Sequence, residues 1–129
     1  MRAIEITEFG GPEVLTLREL PDPQPTGDLV VLDVTAAGVN YADTHQTENS
    51  YLAQQQLPLV PGTEVVGHAP DGRRVAALVA GGGYASKALA LPATTFDLPD
   101  GVSDSAALAL LVQGLTRQAL SSRRKAPRP

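Results

Sequence analysis

"TEVVGHAPDGRRVAALVA", residues 63–80, is the stretch of sequence that decides the fold. Two short apolar runs flank Asp71-Gly72, and an Asp-Gly pair between such runs is a strong signal for a β-hairpin. The type I′ turn that this pair favours needs a positive φ at both central positions. The stretch therefore predicts two antiparallel strands joined by a type I′ turn at Asp71-Gly72.

Strand patterns continue on both sides of this hairpin. "RAIEIT" (2–7) and "VLTLREL" (14–20) alternate with period two, which predicts two paired strands. "LVVLDVTAAGV" (29–39) is typical of a mostly buried strand, and "GGGYASKALAL" (81–91) of a glycine-rich turn that enters another strand. The three prolines of "PDPQPTGD" (21–28) predict a linker. Short strands with such turns predict a mainly β fold with short helices, built as a small barrel or sandwich.

A helical period appears only near the end of the chain. Ser103 is a suitable N-cap, and Asp104 favours the positive end of a helix dipole. Four apolar residues then follow helical spacing, namely Leu108, Leu111, Val112 and Leu115. We expect a helix from about residue 103 to about residue 120.

Composition and charge exclude several classes of function. The chain has no cysteine, so it has neither disulfides nor thiolate ligands, and its two histidines, His45 and His68, have no ligand-spaced partner. No apolar run approaches the roughly 20 residues that span a membrane, and the first residues lack the layout of a signal peptide. We therefore expect a metal-free protein of the cytoplasm with no membrane segment.

The distribution of charge argues against binding to nucleic acid. All 14 acidic residues lie at or before Asp104, whereas residues 117–129 carry five of the ten basic ones. An acidic body repels nucleic acid, and the basic tail has no aromatic side chains that could stack on bases. Its prolines and like charges predict a disordered end.

"AAGVNYADTHQ", residues 36–46, concentrates polar groups directly after the long strand. Asn40 is favoured as the N-cap of a helix, and Asp43 would then be a first-turn carboxylate near the positive helix end. The same side chains could instead line a chemical site. Both interpretations stay open, and one residue can serve both purposes.

Seven stretches of the chain, in this order, resemble the zinc-independent quinone oxidoreductases related to zeta-crystallin, in the medium-chain dehydrogenase/reductase superfamily. The stretches are "MRAIEITEFGGPEVLTL", "AAGVNYADT", "LPLVPGTEVVG", "GRRVAAL", "GGGYAS", "LPDGVS" and "ALLVQGLT". The resemblance covers residues 1–116 and implies an amino-terminal GroES-like β-barrel that forms the substrate side of an active-site cleft. Residues 117–129 would be a separate tail.

In that family a Rossmann domain, which holds NADPH, forms the other wall of the cleft. This sequence has no G-x-G-x-x-G that opens a helix after a strand, and residues 117–129 are too few for a βαβ unit of about 30 residues. We therefore expect no Rossmann domain, no NADPH bound by this chain alone and no unaided hydride transfer.

The resemblance also implies roles for individual residues. Asn40 stands where zinc-dependent relatives carry a cysteine ligand, and Thr63 where they carry a histidine. Asn40 would thus lie near the nicotinamide and the substrate, where its carboxamide could orient a carbonyl. Tyr41 and Tyr51 are candidates for hydrogen bonds to a substrate oxygen that gains negative charge.

Two carboxylates and a hydroxyl complete the expected site. Asp43 matches a superfamily residue in the helix after the first motif, and Glu64 matches an acidic residue beneath the pocket. Thr116 resembles a hydroxyl that reaches toward the cofactor. "GGGY", ending at Tyr84, predicts a turn with the ring packed nearby and not a phosphate loop, because a strand follows it.

Two functions of different class follow. In the first, the chain is the substrate side of an NADPH-dependent quinone or enone reductase that takes a small apolar carbonyl or quinone-like ligand. In the second, the same cleft serves a cofactor-independent binding module or a non-redox enzyme of cyclisation, elimination or proton transfer, with Asp43, Glu64 or His45 as the base. A third possibility is a remnant with no activity, whose barrel would expose the apolar strip of the last helix. That strip predicts a homodimer through Leu108, Leu111, Val112 and Leu115.

Overall fold

The computed structural model describes residues 1–50 and 55–111, and within them the chain forms seven strands and two helices. The elements are β1 (Arg2–Glu5), β2 (Thr16–Glu19), β3 (Val30–Ala37), α1 (Tyr41–Glu48), β4 (Glu64–His68), β5 (Arg74–Leu78), β6 (Lys87–Ala90) and β7 (Thr95–Asp97). Residues 104–111 are helical and are called α2 here. The expected mainly β fold with short helices is confirmed.

Most strands belong to one antiparallel sheet with the order β6-β3-β4-β5-β7, which curls into half a barrel. β1 and β2 pair with each other as predicted, as a separate two-stranded ribbon. β2 begins later than expected because Pro12–Val14 forms a short 3-10 turn before it. Isolated bridges of Ala3 with Ala85 and of Ile6 with Leu59 attach the ribbon to the barrel.

The hairpin of β4 and β5 is confirmed, but the predicted turn type is wrong. Ala69 donates its backbone N–H to Arg73 O at 2.9 Å, so the turn closed by this pair contains three residues, 70–72, and not two. Within this connection only Gly72 has a positive φ, of 90°. Pro70 fixes a negative φ at the first central position, which favours a type I turn followed by a glycine bulge. Asp71 closes the turn by accepting hydrogen bonds from Arg73.

The sheet buries apolar side chains on both of its faces. Successive side chains of β4 point to opposite faces, and adjacent residues of this strand are buried. Val65 lies in a cluster inside the barrel that also contains Leu32, Val75 and Ala77. Val66 points to the opposite face, where a second cluster is covered by α2. Its members are Val66, Ala76 and Ala107, with Leu98, Val102, Leu108 and Leu111 packed against them.

The packing of α2 on the sheet covers part of the apolar strip that was expected to form a dimer. Leu108 and Leu111 are half-buried against the sheet of their own chain and are therefore not a free apolar strip. Val112 and Leu115 lie outside the described residues. Leu110 is the large apolar residue of α2 that faces solvent, with 68% of its surface exposed.

The start of α2 is held by several hydrogen bonds. Ser103 is the N-cap, as predicted, because its Oγ accepts the backbone N–H of Ala106 at 3.1 Å. The carboxylate of Asp104 accepts from Arg74 on β5 at 2.5 Å and from Thr35 on β3 at 2.9 Å. Since these partners belong to two strands, the helix start is fixed to the sheet. The predicted end of this helix lies outside the described residues.

Candidate active site

A cleft of about 230 Å³ lies between α1, the 3-10 turn and the segment that enters β6. Its apolar lining comes from Pro12, Leu15 and Val39. Asn40, Asp43, Thr44, Thr47, Glu48 and Tyr84 add polar groups on the other side. The arrangement suits a small, mostly apolar ligand that carries a few polar atoms.

The polar stretch after β3 forms the start of α1 and also a wall of this cleft. Asn40 is the N-cap, with an extended backbone at φ −119° and ψ 150°. Its backbone N–H donates to Asp43 Oδ2 at 3.0 Å, so the carboxylate holds the cap from the first turn of the helix. Asp43 is only 4% exposed, and it is thus a buried group and not a surface charge at a helix end. Cap and cleft wall are therefore the same residues.

Tyr84 is the residue that the sequence did not identify as part of the site. Its hydroxyl donates to the same Asp43 Oδ2 at 2.5 Å. Its backbone N–H donates to Pro61 O at 2.9 Å, and its carbonyl accepts from Ile4 N–H at 2.8 Å. Tyr84 thus connects its own segment with three distant ones, namely α1, β1 and the segment of Pro61. No spacing rule connects positions 43 and 84, because their contact depends on the mutual placement of β1, α1 and the Pro61 segment.

The surroundings of Tyr84 keep its phenol protonated. Burial raises the pKa of Tyr84 well above its ordinary value, and the hydrogen bond to Asp43 and the negative charges of Asp43 and Glu64 raise that pKa further. At neutral pH the hydroxyl is therefore a hydrogen-bond donor and not a phenolate.

Glu64 is buried and does not line the cleft. The residue is 3% exposed, and its side chain packs against the Cα of Gly38. A Cβ added at Gly38 would lie 1.9 Å from Glu64 Oε1, so only glycine allows this approach. The backbone of Gly38 also donates to Glu64 O at 3.0 Å. β4 and the entry to α1 are held together by these contacts.

Two buried polar atoms of the cleft residues have no hydrogen-bond partner among the described residues. They are Asn40 Nδ2, a donor, and Asp43 Oδ1, an acceptor. An unpaired buried polar atom costs about 1–3 kcal/mol, and most such atoms in folded proteins are paired. A ligand with an oxygen for the Asn40 amide would satisfy the first of them.

Tyr41, another expected site residue, lies outside the cleft. Tyr41 is 81% exposed and does not line the cleft; its ring lies edge-on to His45 with centroids 5.3 Å apart. Tyr51 and Thr116 lie outside the described residues. In residues 1–50 and 55–111, no group of three His, Asp or Glu side chains could hold a metal ion.

The described residues fit the nicotinamide end of NADPH better than its phosphates. The unpaired Asn40 amide suits a carbonyl or carboxamide oxygen in the cleft. In the described part of the chain, Asp43 and Asp104 already place carboxylates at the starts of both helices, where phosphate would otherwise bind. Gly81–Gly83 lead into β6 and not into a helix.

A second, larger hollow adjoins the cleft. It measures about 490 Å³ and shares Leu15, Val39 and Tyr84 with the cleft. Its remaining lining is almost entirely apolar and comes mainly from β3. Tyr84 therefore lines both spaces.

Comparison with known protein families identifies the barrel. Residues 26–100 match the alcohol dehydrogenase GroES-like domain. The chain belongs to this family. The match contains the sheet, α1 and Tyr84, so the cleft described above lies largely within the family domain. Within the described residues, no helix has the length and apolar character that a membrane crossing requires.

Curated relatives of the chain are quinone oxidoreductases, in agreement with the resemblance seen in the sequence. The quinone oxidoreductase of Lama guanicoe is 40% identical over 111 residues, which cover 77% of this chain and 34% of that protein. The human quinone oxidoreductase is 38% identical over 112 residues, with 78% and 34% covered. The chain thus spans about a third of the length of these relatives.

Solved structures show the same fold. The quinone oxidoreductase of Thermus thermophilus, determined also in complex with NADPH, has a TM-score of 0.87 and 39% identity over 98% of this chain and 42% of that one. The Escherichia coli quinone oxidoreductase in complex with NADPH has a TM-score of 0.89 and 28% identity, covering 100% and 43%. The expected GroES-like barrel of the quinone oxidoreductase type is confirmed.

Proposed function

We propose that this chain is the substrate-side domain of an NADPH-dependent reductase of quinones or enones. The observation that carries the proposal is the unpaired, buried amide of Asn40 at the wall of a largely apolar cleft. The quinone oxidoreductases among its relatives support the same substrate class.

The roles of the cleft residues follow from their chemistry. A small apolar carbonyl or quinone-like ligand lies against Leu15, Val39 and the Tyr84 ring, with its oxygen at the Asn40 amide. NADPH, when bound, supplies the hydride to the electrophilic carbon. Asn40 Nδ2–H donates to the ligand oxygen as negative charge develops there, which is where a fixed donor stabilises the transition state most.

Several further residues belong to the proposal. Tyr51 is a second donor to the ligand oxygen, whereas Tyr41, which does not line the cleft, is left without a ligand contact. Glu64 acts from beneath the cleft, and Thr116 contacts the cofactor. The site works without zinc, since Asn40 offers no metal-binding sulfur or imidazole. The protein acts in the cytoplasm as a homodimer.

Hydride transfer also requires a nucleotide-binding unit in addition to the described barrel. The carboxylates of Asp43 and Asp104 at the two helix starts repel phosphate and support this inference. The barrel then supplies the substrate contacts, and a separate unit holds the phosphates of NADPH.

The proposal is tested by calorimetric titration of the chain with a small naphthoquinone. Saturable binding is expected, and Asn40→Ser should weaken it about tenfold, which is the effect of losing one hydrogen bond to a partly charged oxygen. Serine retains a good helix N-cap, so this variant removes the amide while keeping α1. Ser50→Ala, which removes a hydroxyl at the other end of α1, is the matched control.

A parallel titration with NADPH at moderate and high salt tests the need for a nucleotide-binding unit. We expect at most weak binding that disappears at high salt, since the basic tail attracts phosphates without a built site. Salt-resistant saturable binding would overturn this part of the proposal. Absence of naphthoquinone binding would instead reject the reductase proposal and favour a cofactor-independent function for other ligands.

A further inference from the structure

We propose that Tyr84 is a positioning residue that sets the orientation of Asn40 in the cleft through the carboxylate of Asp43. The inference deepens the proposed function and rests on it for the role of the Asn40 amide. Its structural basis is one shared atom: Asp43 Oδ2 accepts both the Tyr84 hydroxyl, at 2.5 Å, and the Asn40 backbone N–H, at 3.0 Å. The Tyr84 hydroxyl therefore fixes the Asp43 carboxylate, and this carboxylate in turn fixes the backbone that carries the Asn40 side chain.

The ring of Tyr84 is suited to this task because its own place is fixed on several sides. Its backbone is bonded to Pro61 and Ile4, and its ring edge lies on the Cα of Gly62. A Cβ at Gly62 would lie 2.6 Å from Tyr84 Cδ1. Gly83 N–H donates to Gly62 O at 3.1 Å and brings the two segments together.

The same segment also holds α1 directly. The backbone N–H of Gly62 donates to Oε1 of Gln46, which is 3% exposed, at 3.2 Å. α1 is thus attached to the Pro61–Gly62 segment at two levels, through Gln46 in its second turn and through Asp43 and Tyr84 in its first. The second of these attachments ends at the cap residue that carries the amide.

The hydroxyl and the ring of Tyr84 have separable roles. Tyr84 lines both the cleft and the neighbouring hollow, and phenylalanine would keep its ring there. The hydroxyl alone reaches Asp43. Tyr84→Phe therefore removes one of the two hydrogen bonds that Asp43 Oδ2 accepts, and it leaves the shape of the cleft unchanged. The effect on the orientation of Asn40 can thus be measured apart from any effect on packing.

The experiment combines NMR of the ¹⁵N-labelled chain with titration of a small naphthoquinone. In Tyr84→Phe we expect the side-chain amide signals of Asn40 to shift and broaden in the free chain, and the affinity for the naphthoquinone to fall about tenfold. Ser50→Ala is expected to change neither. A merely structural role of Tyr84 would lower stability but leave the Asn40 signals and the affinity of the folded fraction unchanged.

A double-mutant cycle tests the route through Asp43. Because Tyr84 acts on Asn40 only through this carboxylate, Tyr84→Phe combined with Asp43→Asn should bind no more weakly than Asp43→Asn alone. Additive losses, or unchanged Asn40 signals in Tyr84→Phe, would overturn the inference. Should Tyr84→Phe fail to fold, Asp43→Asn carries the test, because it keeps the ring and must still shift the Asn40 signals.

The two arms distinguish this inference from the proposed function. If the wild-type chain binds no naphthoquinone, the proposed function fails, but the Asn40 signals of the free chain still decide whether Tyr84 positions it. If the naphthoquinone binds and Tyr84→Phe changes nothing, the positioning role fails alone.

Discussion

At Gly62 two distant segments of the chain are in contact, and the residue type is dictated twice. Its φ of 104° is one that side chains other than glycine rarely adopt, and a Cβ there would lie 2.8 Å from Tyr84 N. Gly72 has a comparable φ of 90° but has no atom within 4 Å of an added Cβ. A comparison of Gly62 with Gly72 therefore distinguishes the cost of backbone strain from the cost of a steric contact.

We therefore predict that Gly62→Ala destabilises the protein by about 2–4 kcal/mol, from backbone strain and a forced displacement of the Tyr84 segment. Gly72→Ala should cost only about 1–2 kcal/mol, since it adds strain without contact. Urea unfolding of both variants and the wild type measures the difference. Equal losses would mean that the contact with Tyr84 contributes nothing.

At the scale of elements, both ends of α1 and the start of α2 are held by side chains from other segments or by special backbone geometry. α1 ends at Glu48, its C-cap residue Asn49 has a left-handed φ of 59°, and Ser50 N–H donates to His45 O at 2.9 Å. α2 begins at Asp104, bonded to Arg74 and Thr35. α1 has only eight residues, so its ends contribute much of what keeps it formed.

Substitution at Asn49 tests the end of α1. Asn49→Ala should destabilise the protein by about 1 kcal/mol, because alanine tolerates the left-handed conformation poorly. Asn49→Gly should leave the stability unchanged or raise it slightly, since glycine adopts this conformation without steric cost. Thermal unfolding of the two variants gives the comparison, and a loss in the glycine variant would show that the Asn49 side chain matters more than its backbone.

The start of α2 gives a prediction on pH. Hydrogen bonds from Arg74 and then Thr35 lower the pKa of Asp104 below its ordinary value. A carboxylate whose pKa is lower in the folded state stabilises that state above its unfolded pKa of about 4, and the contribution is lost as the pH falls through the folded pKa. Asp104→Asn should thus lower the urea midpoint at neutral pH.

The solvent exposure of the Arg74–Asp104 ion pair limits how much Asp104→Asn destabilises the protein. About a third of each side chain in the Arg74–Asp104 pair is exposed, so the loss should be about 0.2–1 kcal/mol near neutral pH. The loss should shrink in acid, as the pH falls through the lowered pKa of Asp104. Asp100→Asn, in the exposed turn before α2, is the control for removing one negative charge. A difference that persists unchanged in acid would contradict the role of the ionised carboxylate.

These elements also show what a sequence can predict. The hairpin of β4 and β5 and the Ser103 cap are predictable because their signals lie within a few residues of each other. The turn type at Asp71-Gly72 is missed because Pro70, one residue outside the pair, decides the conformation. Tyr84 is missed as a site residue because its bond to Asp43 exists only after β1, α1 and the Pro61 segment have come together.

At the scale of the whole molecule, the predicted homodimer requires an exposed apolar surface. The helical period predicts the strip of α2, but Leu108 and Leu111 pack against their own sheet. Leu110 faces solvent on α2, and Val39, 82% exposed, lies at the rim of the cleft. Either could supply an apolar contact between copies, and they lie on different elements, so substitutions can separate them.

We predict that the chain is a dimer at micromolar concentration and that Leu110→Asp converts it to a monomer, because burying an unpaired charge in an apolar contact is unfavourable. Sedimentation velocity measures both states. Val39→Asp is the matched variant, and it should leave the dimer intact if α2 forms the contact. Monomers from Val39→Asp alone would move the contact to the rim of the cleft, and a monomeric wild-type chain would reject homodimerisation.

Leu108→Ala should lower stability by about 1–3 kcal/mol without changing the oligomeric state, since its side chain is already packed within the protomer.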